Sequence, residues 1–149
     1  MIKVVNGNIL NAKENIIGHQ VNCVGVMGAG LAKQLRNKSE IIYSNYKYWC
    51  QIKPKEELLG SVQFVRVAQN KYVANIFGQY GYGRDGQYTN YKALRSGLSE
   101  LRDFAQQNDL TVALPYGIGC GLAGGEWDIV YRIIDEVFQD YGVTLYKFK

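Results

Sequence analysis

Residues 22–30, N-C-V-G-V-M-G-A-G, constrain this chain more than any other stretch. The apolar run 16–21 before them reads as a buried strand, and Leu31-Ala32-Lys33-Gln34-Leu35-Arg36 after them reads as the start of a helix. A glycine-rich loop between a strand and a helix is the local architecture of an anion cradle. Glycines let the backbone approach a phosphate, and the first helical N–H groups point at it. The spacing, G-x-x-G-x-G, is neither the dinucleotide fingerprint nor a Walker loop with its Lys-Ser/Thr end. Downstream, the strand pattern 111–115 runs into residues 116–125, Y-G-I-G-C-G-L-A-G-G, and then into a long helix pattern. Two such loops suggest a ligand with two phosphates, or with a phosphate and a sugar.

The remaining patterns alternate between strand and helix. Strands are expected at 2–5, 15–21, 60–67, 71–77, 111–114 and 143–148. In 60–67, Val62 and Phe64 are followed out of phase by Val65 and Val67, which points to a bulge or to burial on both faces. Gln69-Asn70 reads as a hairpin turn, and 78–89 as a loop rich in glycine and tyrosine. Helices are expected at 31–37, after a Ser39 cap through Trp49 until Pro54 ends the region, at 90–108, and at 126–141. The order predicts one α/β domain over 1–149, a mixed sheet with helices on both faces. Ligands in such sheets bind outside the carboxyl ends of strands, where both glycine loops fall.

Composition bounds the function. Among 149 residues, 47% apolar and 20% charged is ordinary for one folded domain, and much of the seventeen-glycine load sits in the two loops. A net charge of +4 suits an anionic ligand. No basic run exceeds two residues, so no extended nucleic-acid surface is expected. Three cysteines without short paired spacing argue against a disulfide framework or a metal site, and a reduced cytoplasmic setting is the expectation. The N-terminus enters a strand pattern directly, so no signal peptide is expected, and no apolar run approaches membrane-spanning length.

Residues 18–32, G-H-Q-V-N-C-V-G-V-M-G-A-G-L-A, resemble the ADP-ribose-binding macrodomains. The likeness is greatest to the branch that includes yeast ADP-ribose 1″-phosphate phosphatase, terminal ADP-ribose–protein glycohydrolase, and phage and toxin–antitoxin relatives. V-V-N-G-N-I-L (4–10), P-Y-G-I-G-C-G-L (115–122), E-W-D (126–128) and V-T-L-Y-K-F (143–148) agree in the same order. The resemblance implies a three-layer α/β/α sandwich with a central mixed sheet, and ADP-ribose or a derivative as ligand, with no cofactor. A monomer is the expected state.

The resemblance also implies roles for single residues. Asn8 stands where the family commonly has an acid that holds the adenine amino group. Its side-chain oxygen can accept that bond without charge, and the alternative is an Asn serving its own turn. Ile9 would offer its N–H nearby. Asn22 matches an asparagine beside the distal ribose, and its alternative is an Asn bonding its own loop. Gly28, Ala29 and Gly30 would line one side of the diphosphate. Ile118, Gly119, Cys120, Gly121 and Leu122 would line the other, mostly through backbone N–H groups, with Cys120 a packing residue rather than a nucleophile. His19, the one histidine, is either structural or catalytic; the phosphatase branch has a histidine at the matching place. Residues 19 and 22 point to opposite faces unless the strand has ended by Asn22.

Two departures from the glycohydrolases matter. Residues 75–83, N-I-F-G-Q-Y-G-Y-G, contain no lysine, and Ala123 stands where those enzymes carry an aspartate after G-I-G-C-G-L. Tyr80, Tyr82 and Arg84 can cover a ligand from the loop above. Two functions follow as expectations. One is hydrolysis of ADP-ribose derivatives such as ADP-ribose 1″-phosphate, with His19 and Asn22 as catalytic residues. The other is a non-catalytic ADP-ribose reader, or a glycohydrolase acting on modified protein or nucleic acid.

Overall fold

In the computed structural model, which describes residues 1–148, six strands form one sheet in the order β1-β6-β5-β2-β4-β3. The strands are β1 (Ile2–Asn6), β2 (Ile16–Val21), β3 (Val62–Ala68), β4 (Lys71–Phe77), β5 (Val112–Pro115) and β6 (Val143–Lys147). Neighbours are parallel except β3 with β4, an antiparallel hairpin that turns at left-handed Asn70. The phase break expected near its end is a register shift between Arg66 and Ala68.

Alternation along β2 divides the core. Ile16 and Gly18 face α4 (Tyr91–Asn108) and α5 (Trp127–Val137), whose Leu94, Leu98, Leu101, Val130, Ile133 and Ile134 are buried there. Val21 faces the opposite layer, α1 (Gly30–Lys38), α2 (Glu40–Ile52) and the short α3 (Lys55–Leu58), with Leu35, Ile42, Tyr46 and Leu58 buried. The result is the expected three-layer sandwich. Asn90 caps α4 by accepting from the Ala93 N–H at 2.9 Å, and α4 ends at left-handed Asp109.

Some local expectations need correction. Ser39 occupies the cap position of α2 but its side chain makes no cap hydrogen bond. Pro54 follows the end of α2 at Ile52 as expected, and it also stands as the extended N-cap of the short α3, a helix not expected from the sequence. The last helix stops at Val137 rather than 141, because Phe138 leaves helical geometry and buries its ring in the core. No helix among the described residues is long and apolar enough to cross a membrane.

Adjacent parallel β2 and β5 bring both glycine loops to one edge. Close approach of α4 to that centre depends on Gly18. A Cβ there would lie 2.7 Å from Leu114 Cδ2 and 3.3 Å from both Ile76 Cδ1 and Leu101 Cδ2. Gly18→Val is therefore expected to overpack the core and destabilise the fold by about 1–3 kcal/mol. Urea denaturation monitored by circular dichroism checks this.

Candidate functional site

A cavity of about 510 Å³ opens at the carboxyl edge of β2, β4 and β5. One wall is the loop after β2 and the start of α1, the other is the loop after β5, and Gln79, Tyr82, Gly83 and Arg84 border it from the loop after β4. β2 ends at Val21, so Asn22 lies beyond the strand alternation and lines the same cavity as His19.

Asn22 shapes its own loop. Its Oδ1 accepts from the N–H groups of Val24 (3.1 Å) and Val26 (3.3 Å) and from the Tyr46 hydroxyl (2.8 Å). Its Nδ2 donates to Val26 O at 2.8 Å, which leaves one amide hydrogen for a ligand. Beyond this turn, α1 begins uncapped: Ala29 has no side-chain acceptor to offer, and no acid occupies the first turn. The positive end of α1 is thus open to an anion.

The loop after β5 supplies the facing donors. The N–H groups of Gly119, Gly121, Leu122 and Ala123 have no partner among the described residues. Gly119 adopts φ +77°, and a Cβ on it would lie 3.1 Å from Gln20 Oε1 and 3.2 Å from Thr89 Oγ1. Those two side chains form the loop's support. Gln20 Nε2 donates to Gln79 Oε1 (2.8 Å) and Thr89 Oγ1 (2.9 Å), and Thr89 Oγ1 donates to Gly119 O (2.6 Å). Gln20 Oε1 is buried without a partner.

His19 is 2% exposed. Its Nε2 lies 2.6 Å from Asn75 Oδ1; Asn75 Nδ2 donates to Gln63 Oε1 at 3.0 Å, and Gln63 Nε2 donates to Asn45 O at 2.9 Å. Fixed at the Asn45 carbonyl, this chain of amides places the imidazole proton on Nε2 and leaves Nδ1 as a buried acceptor without a partner. Burial pushes the His19 pKa down to about 4, and the Asn75 hydrogen bond pulls weakly the other way. The imidazole is therefore neutral at pH 7. Among the described residues lining the cavity, Arg84 alone carries a formal charge, and there is no lysine or carboxylate.

No protein-family model matches the chain. An uncharacterized 17.5 kDa protein of phage T4 is 30% identical over 91% of this chain and 88% of its own length. Yeast ADP-ribose 1″-phosphate phosphatase is 26% identical over 98% of both chains. The DNA ADP-ribosyl glycohydrolase of Mycobacterium tuberculosis is 30% identical over 93% of this chain, which spans 39% of that protein's length. Among solved structures, the macrodomain of M. tuberculosis DarG superposes with a TM-score of 0.83 at 25% identity, covering 98% of this chain and 97% of that one. The chain belongs to the macrodomain family. Thermosipho africanus DarTG, solved in complex with ADP-ribose, shares the fold at a TM-score of 0.80 and 22% identity, covering 97% of this chain and 41% of that one.

In this macrodomain, His19, Asn22, Gly28, Ala29, Gly30, Ile118, Gly119, Gly121 and Leu122 all line the cavity. Asn8, Ile9 and Cys120 are not among the lining residues. Asn8 Oδ1 caps the short 3-10 turn Ile9–Asn11 by accepting from the Leu10 N–H at 3.0 Å, and Ile9 is buried beside Ile17 and Ala113. Cys120 packs against the main core, and burial holds its thiol above the ordinary range, so it stays protonated. Sequence reasoning missed the Gln20, Gln79 and Thr89 support. Its one sequence signal is the polar pair His19-Gln20 inside an otherwise apolar strand.

His19 also sets a pH dependence. Its folded pKa lies below its unfolded value of 6.5, so the unfolded chain takes up a proton that the folded chain refuses as pH falls. This contribution to stability is complete above pH 6.5 and is lost between pH 6.5 and about 4, amounting to about 3 kcal/mol. Denaturant titrations from pH 7 to pH 4 should show His19→Gln losing less stability than wild type by roughly that amount.

Proposed function

We propose that this macrodomain binds ADP-ribose derivatives across its two glycine loops and hydrolyses one that carries a phosphate on the distal ribose, ADP-ribose 1″-phosphate being the candidate. The observation carrying the binding is the pairing of two open donor arrays, the uncapped start of α1 and the free N–H groups of Gly119, Gly121, Leu122 and Ala123, across a cavity with no carboxylate among the described residues. Such donors favour a diphosphate without protonation or a metal ion. The residue that supports a hydrolytic step is His19, a neutral imidazole bordering the cavity, with Nδ1 as an acceptor buried just behind its surface. The bond broken is between phosphorus and the bridging oxygen, giving ADP-ribose and inorganic phosphate. Reciprocal 98% coverage with the yeast phosphatase supports the same assignment.

A reader that retains ADP-ribose without turnover is the second reading, and a specific observation favours it. A histidine with a pKa near 4 is a weak base, and among the described residues no lysine or carboxylate lines the cavity to replace it. Glycosidic cleavage through a lysine and an aspartate is without its residues: the loop offers Gln79, Tyr82 and Arg84, and Ala123 fills the other place.

Two measurements test the binding site and then separate these readings. Gly28 has an ordinary φ and only Val26 Cγ1 near a built Cβ, at 3.5 Å, so Gly28→Glu should fold and lose ADP-ribose binding in calorimetry by at least about a hundredfold. A folded Gly28→Glu protein that binds like wild type removes the ligand from this cavity. In the second, phosphate release from ADP-ribose 1″-phosphate is followed for wild type and His19→Gln. Release that falls at least about a hundredfold in the variant supports hydrolysis through His19. Release unchanged by the substitution excludes His19, and binding without release establishes the reader.

A further inference from the structure

We infer that the outer face of α1 and α2 is a binding surface for single-stranded nucleic acid. The inference stands apart from the reading of the cavity and does not need it.

Charge is divided between the two helix layers. α1 and α2 carry Lys33, Arg36, Lys38 and Lys47 against Glu40, all of them exposed. On the opposite layer, α5 carries Asp128, Asp135 and Glu136 against Arg132. Pairing sharpens the division. Arg95 bonds Glu136 at 2.6 Å and Arg102 bonds Asp140, so these cations of the α4–α5 layer are neutralised in place. Among the described residues no carboxylate pairs with Lys33, Arg36, Lys38 or Lys47. No basic run in the sequence exceeds two residues; the positive face exists only where α1 packs against α2.

An aromatic ring holds two of these cations at the surface. The Arg36 guanidinium lies 3.7 Å from the centroid of the Tyr43 ring, and Lys47 Nζ donates to the Tyr43 hydroxyl at 3.4 Å. Tyr43 itself donates to Gly25 O at 3.5 Å, which ties the pair to the first glycine loop. A guanidinium packed on a ring keeps its N–H groups in its own plane, open at the edge to a phosphate. Among the described residues those of Arg36 have no acceptor. Tyr48, the residue after Lys47, is 58% exposed and has no aromatic neighbour among the described residues.

Regularly spaced phosphates match cations spread over two helices, and an unpaired base matches the bare Tyr48 ring. A duplex keeps its bases stacked and leaves that ring without a partner. A bilayer fits less well. α2 buries Ile42 and Tyr46 in the core and leaves Ile41 and Ile52 beside Tyr48, an apolar strip too narrow for an interfacial helix. The surface meets the cavity at the start of α1, where Gly30, Leu31 and Ala32 line the cavity and Lys33 follows.

Fluorescence anisotropy with a dye-labelled oligothymidine tests this, with oligouridine as the arm that separates DNA from RNA. Wild type should bind, with log affinity falling against log salt at a slope of about −2, as for about three phosphate contacts on a single strand. Lys33→Glu combined with Lys47→Glu leaves the Arg36–Tyr43 contact in place and should weaken binding by at least about tenfold. Tyr48→Ala should weaken it by at least about fivefold without changing the salt slope. Lys92→Glu combined with Arg132→Glu makes the same change in net charge on the opposite layer and should weaken binding by less than about threefold. Circular dichroism checks that each variant is folded. Equal losses in the two double variants reduce the effect to net charge and overturn the inference. So does an equal affinity for duplex, displacement of the oligonucleotide by saturating ADP-ribose, or binding to phosphatidylserine vesicles without binding to oligonucleotide. A wild type that binds no oligonucleotide at low salt overturns it outright, whatever the cavity binds.

Discussion

The amide of Gln20 holds the site open. It reaches from the central strand to Gln79 and Thr89, and Thr89 hands the contact on to Gly119 O. Both limbs of the loop after β4 and the loop after β5 are joined through one side chain beneath the cavity floor. Backbone N–H groups that must stay free for a ligand cannot be held in place by their own hydrogen bonds. Position has to come from neighbouring groups, here the Gln20 fork below and the carbonyls of the same loop beside them.

The first glycine loop solves the same problem differently. Asn22 acts from inside the turn, gathering the Val24 and Val26 amides, while buried Tyr46 reaches up from α2 to both Asn22 Oδ1 and Asn22 O. The two loops therefore differ in what supports them: one leans on the helix layer that carries α2, the other on the sheet and the loop after β4. Their shared output is an electrostatic surface made of peptide dipoles, to which Arg84 adds the one formal charge among the described residues lining it.

Most of the fold was legible because hydrophobic periodicity and glycine placement report it directly. The two strand–loop–helix units, the hairpin at Asn70 and the long α4 are local patterns with local causes. The cavity-lining set 28–30 and 118–122 was legible through resemblance, except Cys120. Its neighbours Gly119 and Gly121 face the cavity, and its own side chain turns inward to the core. What sequence did not disclose were contacts between segments far apart in the chain. Gln20 with Thr89, and His19 with Asn75, Gln63 and Asn45, are pairings that only the strand order creates. Asn8 was ambiguous for a related reason. The oxygen that can hold a base is also well placed to cap the turn it introduces, and a cap bond is local and always available.

The amide chain ending at His19 has a direction. Each member gives a hydrogen on one side and receives one on the other, starting from a helix carbonyl whose polarity cannot be reversed. Residue 75 therefore acts as a setting for the charge of the cavity wall. With asparagine there, the imidazole meets a neutral acceptor and remains uncharged. An aspartate at the same place would offer a negative partner and favour the imidazolium, giving the wall a second cation beside Arg84. By this route one backbone can pass between a neutral and a cationic pocket through an exchange of nearly equal volume, made on the strand next to the one that leads into the first glycine loop.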